Sequence, residues 1–287
     1  KATYNVLFKE VDGTPSSAQI RAFSDFWEWD EITARTWHEL LTSDTAPVDL
    51  VNLLKGFEQF LGHNAMLAYL VMMAPRLVEL HRVLKPTGSI YLHCDQTSSH
   101  YLKVLMDAVF GVRNFRSEIT WKRSASHGGA TNYHDVHDSL LYYVKSPGFT
   151  WNPIRLAYNR AYIESHYRQK DSNGRRYQLV TAHAPGDGPP RRFGDRVMAP
   201  PRGRHWMGQE TIDKQMAEGL IVFTKSGMPR YKRYLDETSG RPAPNVWTDV
   251  PPINSQAQER GGFPTQKPLA LLERIISASS NEGGVVL

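Results

Sequence analysis

The stretch NYHDVHDSLL places His134, Asp135, His137 and Asp138 within five positions, the densest group of proton-transferring or metal-ligating side chains in the chain. His and Asp can hold a divalent metal, and on a helix His134 and His137 would share a face; the same residues can equally fix a loop at the start of a strand. Cys94 is the one cysteine, and it sits inside an apolar strand pattern, a poor setting for a thiolate nucleophile. Thr265, Gln266, Lys267 and Pro268 open a helix, where free backbone N–H groups and a cationic side chain can receive a carboxylate, or simply make a capped start with an exposed lysine. Trp121 and Lys122 end a strand ahead of a loop containing Gly128-Gly129, so the indole can line a pocket or be plain core. Asp95 and Thr97 follow another strand, at the edge where open sheets bind ligands; helix capping explains both equally well. Finally, Arg175, Arg176, Arg191, Arg192, Arg202, Arg204, Arg230, Lys232 and Arg233 are interleaved with Tyr177, Phe193, Trp206 and Tyr231, a mixture suited to phosphates. Any single arginine among them is as readily a solvated surface residue.

These residues need elements to position them. Residues 1–60 give little beyond a helix over 33–41. From Met66 onward, Leu67, Leu70, Val71, Ala74, Leu77, Val78, His81 and Leu84 recur at helical spacing, and Pro86 with Gly88 marks the stop. GSIYLHCD reads as a short apolar strand of the kind found centrally in parallel sheets. Thr97 is placed to cap a helix over TSSHYLKVLMDAVF that ends at Gly111. EITWKR and SLLYYV follow as strands, possible partners in an antiparallel hairpin with a long loop. Alternating helix and strand predicts a doubly wound α/β sheet. Residues 151–245 change texture, being rich in Arg, Tyr, Pro and Gly, and read as a separate loop-rich module. NVWTDVPPINSQAQERGG is a linker back to the core, and Pro268 at a first helical position begins PLALLERIISAS.

Composition bounds the function. A chain of 287 residues with 40% hydrophobic and 22% charged residues is of ordinary globular type. One cysteine excludes a disulfide framework and a multi-cysteine zinc site. The longest apolar stretch, MLAYLVMMAPRLVEL, is interrupted by Pro75, Arg76 and Glu79 and is too short to span a bilayer. The formal net charge is +5, yet residues 1–150 carry 14 Lys+Arg against 16 Asp+Glu, whereas residues 151–245 carry 17 against 9. The positive excess therefore lies in one module, and a polyanionic partner is expected there.

Several stretches together resemble the amino-directed DNA methyltransferases, which modify adenine N6 or cytosine N4. They are RVLKPTGSIYLHCD, SHYLKVLMDAVFG, ITWKR, HDSLLYYVKS, PRYKRYLDE, VWTDVPPINSQAQER and FPTQKPLALLERII. The likeness runs in order along nearly the whole chain and is closest to the permuted subgroup, whose catalytic half precedes the cofactor half. It implies a Rossmann-like, class I S-adenosylmethionine-dependent core, circularly permuted, with an inserted target-recognition domain. The implied division is a catalytic half over 1–150, the basic recognition region over 151–245, and a linker with the cofactor-side helix over 246–287. It places Thr265, Gln266, Lys267 and Pro268 at the S-adenosylmethionine pocket, and Tyr4, Asn5, Trp121 and Lys122 near the target base. The basic residues named above become contacts to double-stranded DNA. Adenine N6 is the expected target, in the cytoplasm of a prokaryote, with a restriction-system partner and a homodimer as possible associations and no membrane or metal.

The resemblance also implies what is missing. The family's Asp-Pro-Pro-aromatic tetrad would fall ahead of KATYNVLF, and its Asp-Pro-Phe-x-Gly-x-Gly turn would follow VVL, so no catalytic residue is expected within the chain and an inactive fragment is anticipated. The nearest imitation, Asp249-Val250-Pro251-Pro252, lies in the linker. An exocyclic amine is a weak nucleophile because its lone pair is delocalised into the ring; the family's Asp and a prolyl carbonyl would orient it for in-line transfer on a base flipped from the duplex. Two other readings compete: a purely DNA-binding specificity module, and a His/Asp metal-dependent hydrolase. Cytosine C5 chemistry would need a thiolate and is disfavoured by the setting of Cys94.

Overall fold

A computed structural model describes residues 3–5, 21–24, 27–126, 131–254, 257–261 and 265–287. The chain begins with a short antiparallel pair, β1 (Thr3–Asn5) and β2 (Arg21–Ser24). Three helices follow, α1 (Glu31–Thr42), α2 (Val48–Leu61) and α3 (Ala65–Val83), then β3 (Ser89–Cys94), α4 (Ser99–Phe110), β4 (Phe115–Lys122) and β5 (His137–Val144). Next come β6 (Arg155–Leu156), α5 (Arg160–His166), β7 (Gln169–Lys170), β8 (Arg176–Thr181), β9 (His183–Pro185), β10 (Arg191–Phe193), β11 (Arg196–Met198) and β12 (Arg204–Trp206). The remainder is α6 (Gln209–Ala217), β13 (Ile221–Phe223), β14 (Pro229–Tyr234), β15 (Arg241–Pro242), β16 (Val246–Trp247) and α7 (Leu269–Ser279). The chain divides into two compact units, Lys1–Ile154 with Pro244–Leu287, and Arg155–Ala243.

The first unit is built on a four-stranded sheet in the order β16-β4-β5-β3. β4 and β3 both run antiparallel to β5, and only β16 pairs parallel, with β4. The central strand is therefore β5. GSIYLHCD, read above as a central parallel strand, forms β3, paired to β5 alone among the described strands and half-buried along most of its length. A run of apolar residues reports burial and not the direction of a neighbour, so the sequence could not separate these cases. β5 is apolar at consecutive positions because both its faces are covered. Leu141 and Tyr143 enter the core formed with α1 to α4, where Leu50, Leu54, Leu67, Leu70, Leu102 and Leu105 are fully buried. Leu140, Tyr142 and Val144 face the opposite core, with Trp121, Trp247, Val250 and Leu271. The result is an α/β/α sandwich of mixed strand direction.

Local chemistry sets the helix ends. Asp30 Oδ1 accepts from the Thr33 N–H and Asn64 Oδ1 from that of Leu67, each at the start of its helix. Thr97 does not cap α4. Asp95 Oδ1 accepts from Ser98 N at 3.0 Å and Ser98 Oγ at 2.9 Å, because a carboxylate three residues upstream reaches both donors of the turn. Helix α3 continues through Pro75, forgoing one backbone hydrogen bond, and ends at Val83, ahead of the Pro86–Gly88 stop. Pro268 lies one residue outside α7, as its cap.

The second unit carries a four-stranded antiparallel sheet, β13-β14-β8-β7, and the two-stranded pairs β10–β11, β12–β9 and β15–β6. Its core is small: Ala182, Phe193, Trp206, Ile212 and Ile221. Phe193 and Trp206, named above among the aromatics interleaved with arginines, are thus interior residues at 1% and 3% exposure. They pack the interior of this unit and present no stacking surface.

Leu105 on α4 is fully buried against the first core. Leu105→Ala is expected to destabilise the chain by about 3 kcal/mol, read as a drop in the denaturant midpoint at unchanged m-value.

Candidate functional site

Three strand ends meet at one edge of the first unit: the close of β3, the close of β4 and the start of β5. Antiparallel register sets Cys94 opposite Ser139 and Trp121 opposite Asp138. Around Asp138, which is 8% exposed, the side chains converge. His93 Nε2 lies 2.8 Å from Asp138 Oδ2, and Arg123 Nε lies 2.7 Å from Oδ1. With the carboxylate ionised, the His93 tautomer selected is the one donating from Nε2. Burial raises the Asp138 pKa, but the His93 hydrogen bond and the Arg123 charge outweigh it and hold the carboxyl below its ordinary value. His137 is tied to the same edge by Gln96, whose Nε2 lies 2.8 Å from Nδ1.

This arrangement decides the His/Asp cluster. His134 and Asp135 lie in a loop and His137 opens a strand, so the helical face proposed for His134 and His137 does not form. Both Asp138 oxygens are engaged. Among the described residues, no group of three His, Cys, Asp or Glu side chains could hold a metal ion. Cys94 is buried, its thiol directed at the Ser139 carbonyl at 3.5 Å. Burial, with the Asp95, Glu118 and Asp138 charges, pushes its pKa up to about 12, so at neutral pH it is a packed thiol and not a nucleophile.

Trp121 is 4% exposed. Its Nε1 donates to the Val250 carbonyl at 2.9 Å, and its ring meets His93 edge-on at 5.7 Å. The indole thus fastens the returning segment to the sheet and offers no open face, whereas Lys122 beside it is exposed. Tyr4 and Asn5 stand on β1, opposite Phe23 and Arg21 of β2; their side chains lie outside the described residues.

The returning segment is held to α7. Arg274 makes a two-pronged pair with Asp249, at 3.1 and 2.6 Å, and lies over the Trp247 ring at 4.9 Å. Asp249 is thereby committed to an arginine. At the start of α7, Thr265 is exposed, Gln266 and Lys267 are half-buried, and Pro268 is buried. Gln266 Oε1 accepts from Gly261 N at 2.6 Å, and its Nε2 donates to the Glu259 carbonyl. Lys267 Nζ donates to the Thr265 carbonyl at 3.2 Å. Glu259 Oε2 accepts from the first helical N–H, that of Leu269, at 2.8 Å. The helix start therefore already receives a carboxylate, supplied by the chain itself.

In the second unit the basic residues differ in freedom. Arg175 is engaged within the protein: it pairs with Asp236 through Nε and Nη2 at 2.8 and 2.9 Å, bonds Glu237 at 2.6 Å, and covers the Tyr234 ring. Arg176, Arg192, Arg202, Arg204 and Arg233 are exposed; Arg191, Arg230 and Lys232 are half-buried, with Lys232 Nζ 5.5 Å from the Tyr177 ring centre. His93, Gln96, Arg123 and Glu259 were missed by sequence reasoning. Arg123 adjoins Lys122 and could have been suspected, but nothing in the sequence brings His93 to Asp138, 45 positions away.

Asp138→Asn is expected to cost about 1–2 kcal/mol at neutral pH by leaving Arg123 without its counter-charge. Because the folded pKa is depressed, that stability is present above the unfolded value and is lost as pH falls through the folded one. The gap in denaturant midpoint between variant and parent should therefore start to narrow only below about pH 4 and close as pH falls further. Cys94 should resist alkylation at pH 8 in the native chain and react rapidly in denaturant; fast native labelling would contradict the buried thiol.

A family model described as DNA methylase (N6_N4_Mtase) matches residues 3–287. Type II methyltransferase M.EcaI of Enterobacter cloacae is 31% identical over 223 residues, covering 77% of this chain and 49% of that protein. The Type III restriction-modification enzyme StyLTI Mod subunit of Salmonella typhimurium is 26% identical over 268 residues, covering 85% and 40%. DNA adenine methyltransferase YhdJ of Escherichia coli is 40% identical over 78 residues, 24% of this chain and 26% of that protein. The chain spans about half or less of the length of these relatives. The mixed α/β sandwich fits an S-adenosylmethionine-dependent methyltransferase fold, and the match across residues 3–287 makes this chain a member of the N6/N4 DNA methylase family.

Proposed function

We propose that this chain is part of an S-adenosylmethionine-dependent DNA methyltransferase acting on the exocyclic amine of adenine, in a permuted arrangement with residues 151–245 as the target-recognition region. The observation that carries the reading is the family match over residues 3–287. The adenine choice is supported by the name of YhdJ, a DNA adenine methyltransferase sharing 40% identity over 78 residues. A restriction partner is supported by the Mod-subunit relative, and the expected setting is the bacterial cytoplasm.

The start of α7 fits the cofactor, because the N–H of Leu269 already accommodates a carboxylate. Lys267 and that N–H would hold the cofactor's carboxylate in exchange for Glu259, and Gln266 would fix the loop before the helix. The bound cofactor supplies an electrophilic methyl on a sulfonium centre. The chain's own work is positioning. Asp138, through His93 and Arg123, holds the ends of β3, β4 and β5 in one plane beside which a flipped base can be presented. The exposed arginines of the second unit supply phosphate contacts, which govern affinity and its salt dependence. The groups that orient the amine belong, on this reading, to residues outside these 287, consistent with the absence of an Asp-Pro-Pro-aromatic sequence in the chain.

The test is transfer of labelled methyl from S-adenosylmethionine to duplex DNA by the intact protein that contains this chain, followed by nucleoside analysis. N6-methyladenine is expected, with salt-sensitive DNA binding but no transfer by the 287-residue chain alone. N4-methylcytosine would overturn the adenine choice, and transfer by the chain alone would overturn the placement of the catalytic groups.

A further inference from the structure

The second unit contains a cleft of about 460 Å3 lined by Arg155, Tyr158, Tyr162, Arg233, Gly240 and Arg241, among others. Its size falls within the range of small-ligand sites. Its walls come from three places: Arg155 on β6, Arg233 on β14 and Arg241 on β15. All three arginines are exposed. Unlike Arg175, which is consumed by Asp236 and Glu237, they enter no ion pair among the described residues. Three guanidinium groups around one hollow favour an anion there, and the carboxylate of the lining, Glu237, is already bonded to Arg175.

The cleft also has an aromatic wall. Tyr158, Tyr162 and His166 form a column of near-parallel rings, with Tyr158–Tyr162 centroids 4.7 Å apart and Tyr162–His166 centroids 4.0 Å apart, each pair inclined by 13°. The spacing of four residues along and just ahead of α5 produces this column. Tyr158, at its end, is braced against the buried Tyr167. Gly240 also lines the cleft: it has φ +87°, and a Cβ there would lie 2.2 Å from the Leu156 carbonyl oxygen. Only glycine lets the segment between β14 and β15 approach β6 so closely.

Arginines around a hollow beside a column of stacked rings suit a nucleoside phosphate. We propose that this cleft takes a single unstacked nucleotide of a DNA strand, its phosphate among Arg155, Arg233 and Arg241 and its base extending the ring column at Tyr158. The inference rests on the DNA-binding reading of this unit and deepens it. The second unit would then hold a strand by stacking as well as by charge, and would favour distorted or single-stranded segments over intact duplex.

The test uses the 287-residue chain and fluorescence anisotropy with three labelled probes: a single-stranded oligonucleotide of about 12 nucleotides, within the site sizes usual for single-strand binders, the same strand with abasic sugars throughout, and a paired duplex. Stacking of one base predicts that Tyr158→Ala weakens the normal single strand by roughly tenfold while leaving the abasic strand unchanged, with Tyr158→Phe restoring most of the difference. Arg155→Ala and Arg241→Ala should weaken both single strands and each lower the salt slope by about one. Equal loss on the normal and abasic strands would mean that Tyr158 acts only through the fold and would overturn the proposal. So would competition by free deoxyadenosine monophosphate at the strand's own affinity, which would make the site one for mononucleotides. Failure of the parent chain to bind any of the probes would instead defeat the underlying DNA-binding reading.

Discussion

β5 is hydrogen-bonded along both edges and covered on both faces, and the first unit is organised around that constraint. Leu141 and Tyr143 close one core, while Leu140, Tyr142 and Val144 close the other. Burying side chains of this size contributes about 1.5–3 kcal/mol each. A one-residue slip of β5 would exchange its two sets of side chains between cores of different shape. The register is therefore strongly specified, and with it the meeting of Trp121, Asp138 and His93 at one edge. Because the strand begins with His137-Asp138, the point where its apolar run starts is also the point where its polar network is fixed.

That network gives the sheet edge a fixed geometry with few reactive groups. Amine methylation requires orientation and a stabilised developing charge more than it requires a strong base. The groups at this edge hold the fold in place rather than react. They comprise a buried carboxylate with two partners, a thiol kept protonated, and an indole whose N–H anchors a returning segment. The commitment of Asp249 to Arg274 has the same character, tying the segment before α7 to that helix.

The second unit is organised differently. Its core is a handful of residues, and its strands are short and joined by tight turns. Its arginines divide between structural work and exposure. Arg175 is locked by two acids and a tyrosine ring, whereas Arg155, Arg233 and Arg241 surround a hollow. Basic composition therefore does not identify which cations are available to a ligand; the position of carboxylates in the fold does.

Much of the element structure was legible in the sequence. Helical periodicity marked α3, α4 and α7, and the apolar runs marked β3, β4 and β5, because burial repeats with the geometry of each element. The charge excess of residues 151–245 and the ordered motifs that carry the family likeness are likewise properties of sequence alone. Tertiary structure decided which strand is central and in which direction its neighbours run, since an apolar run is the same for parallel and antiparallel pairing. It decided that Asp95 and not Thr97 closes the turn before α4, and that Phe193, Trp206 and Trp121 are interior. It brought His93 and Arg123 to Asp138 and gathered three arginines from β6, β14 and β15 into one cleft. These last are contacts between residues distant in the chain, and local propensity carries no record of them; they exist only once the strand register is set.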